Sequence, residues 1–189
     1  MVFGRDTELS LRAAASLVNT LPGIDFDGAD GMASPADLQA WLQEFPYTGR
    51  MRGDDAEVAA VREIRVRLRQ LWDVERDDAV PLVNTMLRDG EALPQLVIHD
   101  DYDWHIHATD SDADLSMRIL VEAAMAFVDV IRADAWDRVR RCEADDCGAV
   151  YVDFSKNGSK RYCDTGNCGN RMNVIAYRRR KAEEAEESA

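Results

Sequence analysis

Apolar residues recur through the first two thirds of this chain mainly at the three-to-four-residue spacing of amphipathic helices. Residues 7–20 are rich in alanine and leucine and stop before Pro22-Gly23, which predicts a first helix. Residues 24–33 lack periodicity and read as a loop. Ser34-Pro35-Ala36-Asp37 is a helix start, with serine as N-cap, proline in the first helical position and an acid in the first turn. Leu38, Trp41, Leu42 and Phe45 then follow at helical spacing. Residues 55–76 predict a longer helix with Val58, Val61, Leu68, Leu71 and Trp72 on one side. Arg62, Arg65 and Arg69 alternate with Glu57, Glu63, Asp73 and Glu75 and read as its solvated face. A short helix is expected over 79–88, ended by Gly90.

The period then changes. Residues 95–109 predict a β-hairpin, two β-prone runs around Asp100-Asp101-Tyr102-Asp103. All three histidines lie in it. Alternation puts His105 and His107 on one face. With 99 opposite 104, His99 points the other way, and a one-residue shift reverses that. The three are read as amphipathic strand residues, not as a second metal or catalytic site. Ser111-x-x-Asp114 predicts the start of the longest helix, over 112–137, with Leu115, Ile119, Ala123, Phe127 and Ile131 as its buried stripe. Trp41, Trp72, Trp104 and Trp136 are expected in the core or at a domain junction.

Near the C-terminus the chemistry changes as well. All four cysteines, Cys142, Cys147, Cys163 and Cys168, fall within 27 residues, spaced C-x4-C-x15-C-x4-C. Two thiolate pairs separated by a short stretch suit one structural Zn²⁺ held by four sulfurs. Such a site is coordinatively closed, which argues against catalysis by the metal. Cys142 to Gly148 predicts a knuckle turn, closed by a glycine able to take positive φ. Ala149–Val152 and Lys160–Tyr162 predict two strands around the turn Ser155–Ser159, and Cys168 opens a helix to about Lys181. Met172 and Ile175 are expected to pack under the hairpin. Knuckle, hairpin and helix make a treble-clef-like arrangement. The fold class expected is mainly α with a β-hairpin, followed by this small four-cysteine zinc finger.

Charge sharpens the division. Residues 138–181 hold eleven Lys/Arg against five acids, a net of +6, while residues 1–137 carry −15 and the tail four glutamates. The expected layout is therefore a helical domain over 1–137, a finger over 138–181 and an acidic tail over 182–189. A segregated basic face is what nucleic-acid contact requires, since the molecule as a whole, at −13, is repelled by DNA. Lys156, Lys160 and Arg161 from the hairpin, and Arg178, Arg179, Arg180 and Lys181 from the helix, are candidate phosphate contacts. Asn170 and Arg171 are candidate base readers. Arg171 has an alternative role, bracing the knuckle through a carbonyl or Asp164, and the basic helix end has one as a dipole-stabilised solvated terminus. No apolar run reaches the roughly 18–20 residues of a membrane span. The N-terminus has no basic flank followed by a long apolar stretch, so no signal peptide is expected and the chain is placed in the cytoplasm. No Gly-rich phosphate loop, nucleophile elbow or H-E-x-x-H helix marks an enzyme.

Cys168-Gly169-Asn170-Arg171, with Tyr151-Val152-Asp153, Ser155-Lys156-Asn157 and Lys160-Arg161-Tyr162-Cys163 upstream, resembles the CGNR zinc finger family. Tyr162 stands where that family commonly has tryptophan, and Tyr151 where it commonly has phenylalanine. Leu17-Val18-Asn19-Thr20 and Asp37-Leu38-x-x-Trp41-Leu42 resemble the ABATE domain that precedes such fingers. The resemblance implies a stress-induced transcription regulator, one Zn²⁺ on the four cysteines, and DNA binding by the finger. The first domain would regulate, sense a ligand or oligomerise. Expected partners are double-stranded DNA, a small-molecule ligand of the N-terminal domain and a second copy of the chain, with no membrane. The alternative is a zinc-stabilised protein-interaction module whose N-terminal domain binds a small molecule, without DNA contact.

Overall fold

The computed structural model describes residues 3–24, 28–99 and 102–187. Part of the predicted 24–33 loop, Asp100 and Asp101 of the hairpin turn, the His99 side chain and the last two residues of the tail lie outside that description. Six helices and two small antiparallel strand pairs follow one another in the described residues.

α1 (Arg5–Val18) buries Leu11, Ala14, Leu17 and Val18. α2 (Pro35–Glu44) starts as predicted: Ser34 and Asp37 form a reciprocal capping box behind Pro35. α3 (Asp55–Arg69) is capped by Asp54, whose carboxylate accepts from the Glu57 N–H at 2.8 Å. A 3₁₀ turn over Gln70–Trp72 tightens its end, so the predicted 55–76 helix is shorter than its periodicity indicated. α4 (Arg76–Asp89) begins one turn earlier than predicted, and its end packs so closely that a Cβ at Gly90 would lie 2.1 Å from Val121.

β1 (Gln95–His99) and β2 (Tyr102–His107) form the predicted hairpin. Its ladder sets Val97 opposite His105 and Leu96 opposite Ile106, one residue away from the register with 99 opposite 104, and slips between Val97 and His99. Leu96, Ile98, Trp104 and Ile106 are exposed, so Trp104 is neither core nor junction. A two-stranded ribbon has only one face to bury, and its other face stays in water.

α5 (Leu115–Arg132) is the central helix, packed on α1, α3 and α4. It is shorter at both ends than 112–137. Asp114 is the N-cap, without the predicted side-chain cap, and Asp134 takes φ +53 to turn the chain out after Arg132. Ile119, Leu120, Ala123, Phe127 and Val130 are fully or nearly fully buried along it. Trp72 meets Phe127 edge-on at 5.3 Å, and Trp136, in a 3₁₀ turn, closes the same aromatic group at 5.8 Å.

Charged residues tie these helices together. Arg65 is 3% exposed and not solvated: it donates twice to Asp30, at 2.7 and 2.5 Å, and once to the Thr20 carbonyl at 2.8 Å. Arg62 joins the pair at 3.0 Å. Periodicity places Arg65 among charged neighbours, but Asp30, from the loop ahead of α2, reaches it and supplies the carboxylate. Asp30 is held down to about 2, first by the Arg65 hydrogen bonds, against the opposing effect of burial.

β3 (Val139–Arg141) and β4 (Val150–Val152) form the second pair, with Arg140 opposite Tyr151. This differs from the predicted hairpin, in which 149–152 paired with 160–162. Tyr162 and its two predecessors form no ladder, because Asp153 captures the Lys160 N–H at 2.8 Å and Tyr151 donates its hydroxyl to the Lys160 carbonyl at 2.6 Å. Val150 and Val152 pack into the core of the helical part, worth roughly 1.5–3 kcal/mol each. Trp72 Nε1 donates to the Tyr151 carbonyl at 3.0 Å. Asn19 caps the junction: its amide donates to the Val150 carbonyl at 2.9 Å and its oxygen accepts from the Val150 N–H at 2.8 Å. α6 (Cys168–Glu187) is the longest helix and carries the finger's end. It runs past Lys181 into the glutamates, so Arg178 to Lys181 sit mid-helix and not at a dipole-stabilised end.

Candidate metal centre

Each cysteine is placed by a separate local device. Cys142 follows β3 and donates its N–H to the Ala149 carbonyl at 2.8 Å, while Cys147 N–H closes the knuckle on the Ala144 carbonyl at 3.0 Å. Gly148 does not take the positive φ expected of it. Its missing side chain instead permits close approach to Ile24, where a Cβ would lie 3.2 Å from the Ile24 methyl. Cys163 arrives on the 160–162 segment, braced by Glu143 N–H to the Arg161 carbonyl at 3.0 Å. Asn167, at φ +51, turns the chain into α6 so that Cys168 is its first residue.

The four sulfurs lie within 4.8 Å of one another, with Cys147–Cys163 and Cys163–Cys168 both at 3.7 Å. Four thiolates bonded tetrahedrally to Zn²⁺ at about 2.3 Å stand roughly 3.8 Å apart, so the donor set fits one zinc ion. Three of the four are buried. Burial pushes the Cys147 and Cys168 thiols up; Cys163 is lowered against burial by the Gly166 and Thr165 N–H groups. A buried cluster of this kind ionises together when a cation is among the sulfurs. Zinc there would lock knuckle, loop and helix start, with no coordination position left for substrate.

The surrounding shell is equally specific. Cys163 N–H donates to Cys142 Sγ at 3.4 Å, and Arg171 donates to Cys168 Sγ at 3.3 Å and to Asp146. Arg171 therefore braces the knuckle through Asp146, not Asp164, and Asp146 is lowered by that bond. Asp153 is fully buried and accepts from the Ser155 and Lys160 N–H groups at 2.8 Å each, which keeps it ionised despite burial. Arg138 donates to the Asp153 and Ser155 carbonyls at 2.8 Å, and Arg69 ties α3 to the Gly148 carbonyl at 3.0 Å. Of the residues expected beneath the hairpin, Met172 packs against the cysteine cluster, whereas Ile175 is half exposed.

The remaining basic candidates divide into two sets. Lys160 and Arg161 share a shallow groove with Asn170 and Asn173 at the start of α6, Lys160 paired with Asp164 and Arg161 with Glu143. Lys156 is exposed in the 155–159 turn. Arg178 to Lys181 lie exposed on the projecting part of α6; Arg179 pairs with Glu183 and Lys181 with Glu184. The loop acids Glu143 and Asp146, which partner Arg161 and Arg171, entered the sequence reading only as charge, and Asp164, expected beside Arg171, pairs with Lys160 instead.

The geometry defines a closed four-thiolate zinc finger built onto a helical domain. Residues 138–181 match the CGNR zinc finger model, and residues 11–134 match the ABATE model, described as "Putative stress-induced transcription regulator". The chain belongs to the ABATE family, and carries the CGNR finger after that domain. Both descriptions are of regulator and zinc-finger types and not of enzymes. No curated protein matches the chain. No helix among the described residues is long and apolar enough to cross a membrane.

Proposed function

We propose that this regulator contacts double-stranded DNA through its finger, with residues 1–137 as the regulatory unit, 138–181 as the contacting unit and 182–189 as an acidic tail. The observation that carries the reading is the projecting helix α6, which holds Arg178, Arg179, Arg180 and Lys181 in water, beyond a groove where Lys160 and Arg161 meet Asn170. The role of Cys142, Cys147, Cys163 and Cys168 is to hold zinc, and that of zinc is to aim this helix. Arg171 acts in positioning, through Asp146 and Cys168. The ion pairs on Lys160, Arg161, Arg179 and Lys181 are exposed, so phosphate can replace each carboxylate at small cost. A second reading, protein contact by the same helix, is favoured by Val174, Ile175 and Tyr177, all about half exposed.

The test is anisotropy of the zinc-loaded full chain on labelled duplex across a salt series. Affinity should fall with a log–log slope of about −0.9 per phosphate contacted, and Arg178→Ala with Arg180→Ala should flatten it by about two units. Absence of binding at low salt, or a slope the double variant leaves unchanged, overturns the DNA reading.

A further inference from the structure

The hairpin has an apolar face that the helical core does not use. Leu96 and Ile98 of β1 and Trp104 and Ile106 of β2 share one face by strand alternation, with Leu96 opposite Ile106 in the ladder. All four are between 45% and 67% exposed. Val97, His105 and His107, on the opposite face, are half-buried, and the two histidines line a cavity with Glu122 of α5. Four large side chains exposed to this degree leave on the order of 400 Å² of apolar surface in one patch, the size at which a patch marks an interface.

Charge selects what covers it. Residues 89–117, which contain the hairpin, hold eight acids and no lysine or arginine. Of these acids, Glu91, Asp110 and Asp112 are exposed. Two hairpins laid face to face would therefore set acid against acid. The exposed apolar side chains of α6 have the opposite setting. Residues 168–181 hold five Lys/Arg and no acid. Val174 and Tyr177, both about half exposed, fall with Arg178 and Lys181 on one helix face, at the spacing i, i+3, i+4, i+7. Apolar surface with an acidic rim meets apolar surface with a basic rim, and one chain carries both.

Area selects the stoichiometry. With on the order of 300 Å² from α6, a single contact of α6 on a hairpin buries about 700 Å² in total, short of the roughly 1,200 Å² of a stable interface. Two reciprocal contacts bury about 1,400 Å² and close under a twofold axis. We propose that two copies of this chain associate reciprocally, the Val174–Lys181 face of each α6 lying on the apolar hairpin face of the other copy. Lys181 then exchanges its exposed pairing with Glu184 for an acid of the hairpin segment. The dimer and duplex DNA compete for the same helix. The contact itself does not rest on DNA binding, and it is measured without DNA.

The experiment is sedimentation velocity of the zinc-loaded full chain over roughly 1 to 100 µM, where a monomer–dimer equilibrium is expected. Ile98→Ser with Trp104→Ser should weaken the dimer about a hundredfold, tenfold for each of the two equivalent contacts. Val174→Ser with Tyr177→Ser should weaken it equally, and Arg178→Glu with Lys181→Glu should do so without removing apolar side chains. All the substituted positions are exposed, and circular dichroism with the retained finger zinc reports that the variants fold. A chain that stays monomeric, one that grows past the dimer into open chains, or a dimer that any of the three double variants leaves unchanged overturns the proposal. Persistence in the α6 variants alone would point to hairpin-on-hairpin pairing.

Discussion

Replacing Asn19 by alanine tests how the finger is joined to the helical domain. Asn19 satisfies both backbone groups of Val150, and Val150 is fully buried. Asn19→Ala therefore orphans one N–H and one C=O on the outer edge of β4. Each orphaned buried group costs about 1–3 kcal/mol, so the pair could cost on the order of 2–6 kcal/mol. Asn19 and Val150 also line a groove at the domain junction, which lets water reach part of the edge and favours the low end. A loss of about 2 kcal/mol lowers Tm by roughly 4–8 °C in a chain of this size. Thermal unfolding of the zinc-loaded protein measures it. Asn19→Asp keeps the acceptor for the Val150 N–H but sets a carboxylate against its carbonyl, so it should also melt below the unsubstituted chain. If Asn19→Ala melts within about 1 °C of the unsubstituted chain, the Val150 groups are satisfied without Asn19 and the coupling argument fails.

Two further predictions concern acid and metal. Asp30 has its folded value below its unfolded one, so its stabilisation is complete above about pH 4 and lost as pH falls towards 2; the urea midpoint of Asp30→Asn should fall less steeply over that range than that of the unsubstituted chain. Arg65→Ala, which leaves the Asp30 carboxylate without its main partner, should cost about 3 kcal/mol near neutral pH. Cys163→Ser removes the sulfur 3.7 Å from both Cys147 and Cys168, and should abolish zinc at the finger and lower the tryptophan-monitored unfolding midpoint. Trp72 reports it directly, through its bond to the Tyr151 carbonyl. An unchanged midpoint would show that the helical core does not depend on the finger.

Much of the fold was legible because local chemistry and global structure agree. Ser34-Pro35 announced α2, and Leu115 to Phe127 announced the buried stripe of α5, since caps and period are short-range properties. The errors arose where long-range contacts intervene. Arg65 looks solvated until Asp30 is brought to it across 35 residues. Lys160–Tyr162 has strand composition, but buried Asp153 takes its first N–H and β3 takes the place beside β4. Trp104 reads as core by residue type and is 64% exposed, because the two-stranded ribbon leaves one face in water.

The sequence alone determined the zinc chemistry and the helical class: thiolate count and spacing are local, and apolar period survives without knowledge of packing. It also carried the charge division between the helical part and the finger. Tertiary structure decided which charges are used internally and which remain available. It turned Arg171 onto Asp146 and Cys168, left Arg178 and its neighbours in water, and made Asn19 a backbone partner for Val150. It also brought His105 and His107 together with Glu122 in one cavity. Hydrogen-bond partners and desolvation depend on which segments meet in space, and no spacing along the chain encodes that meeting.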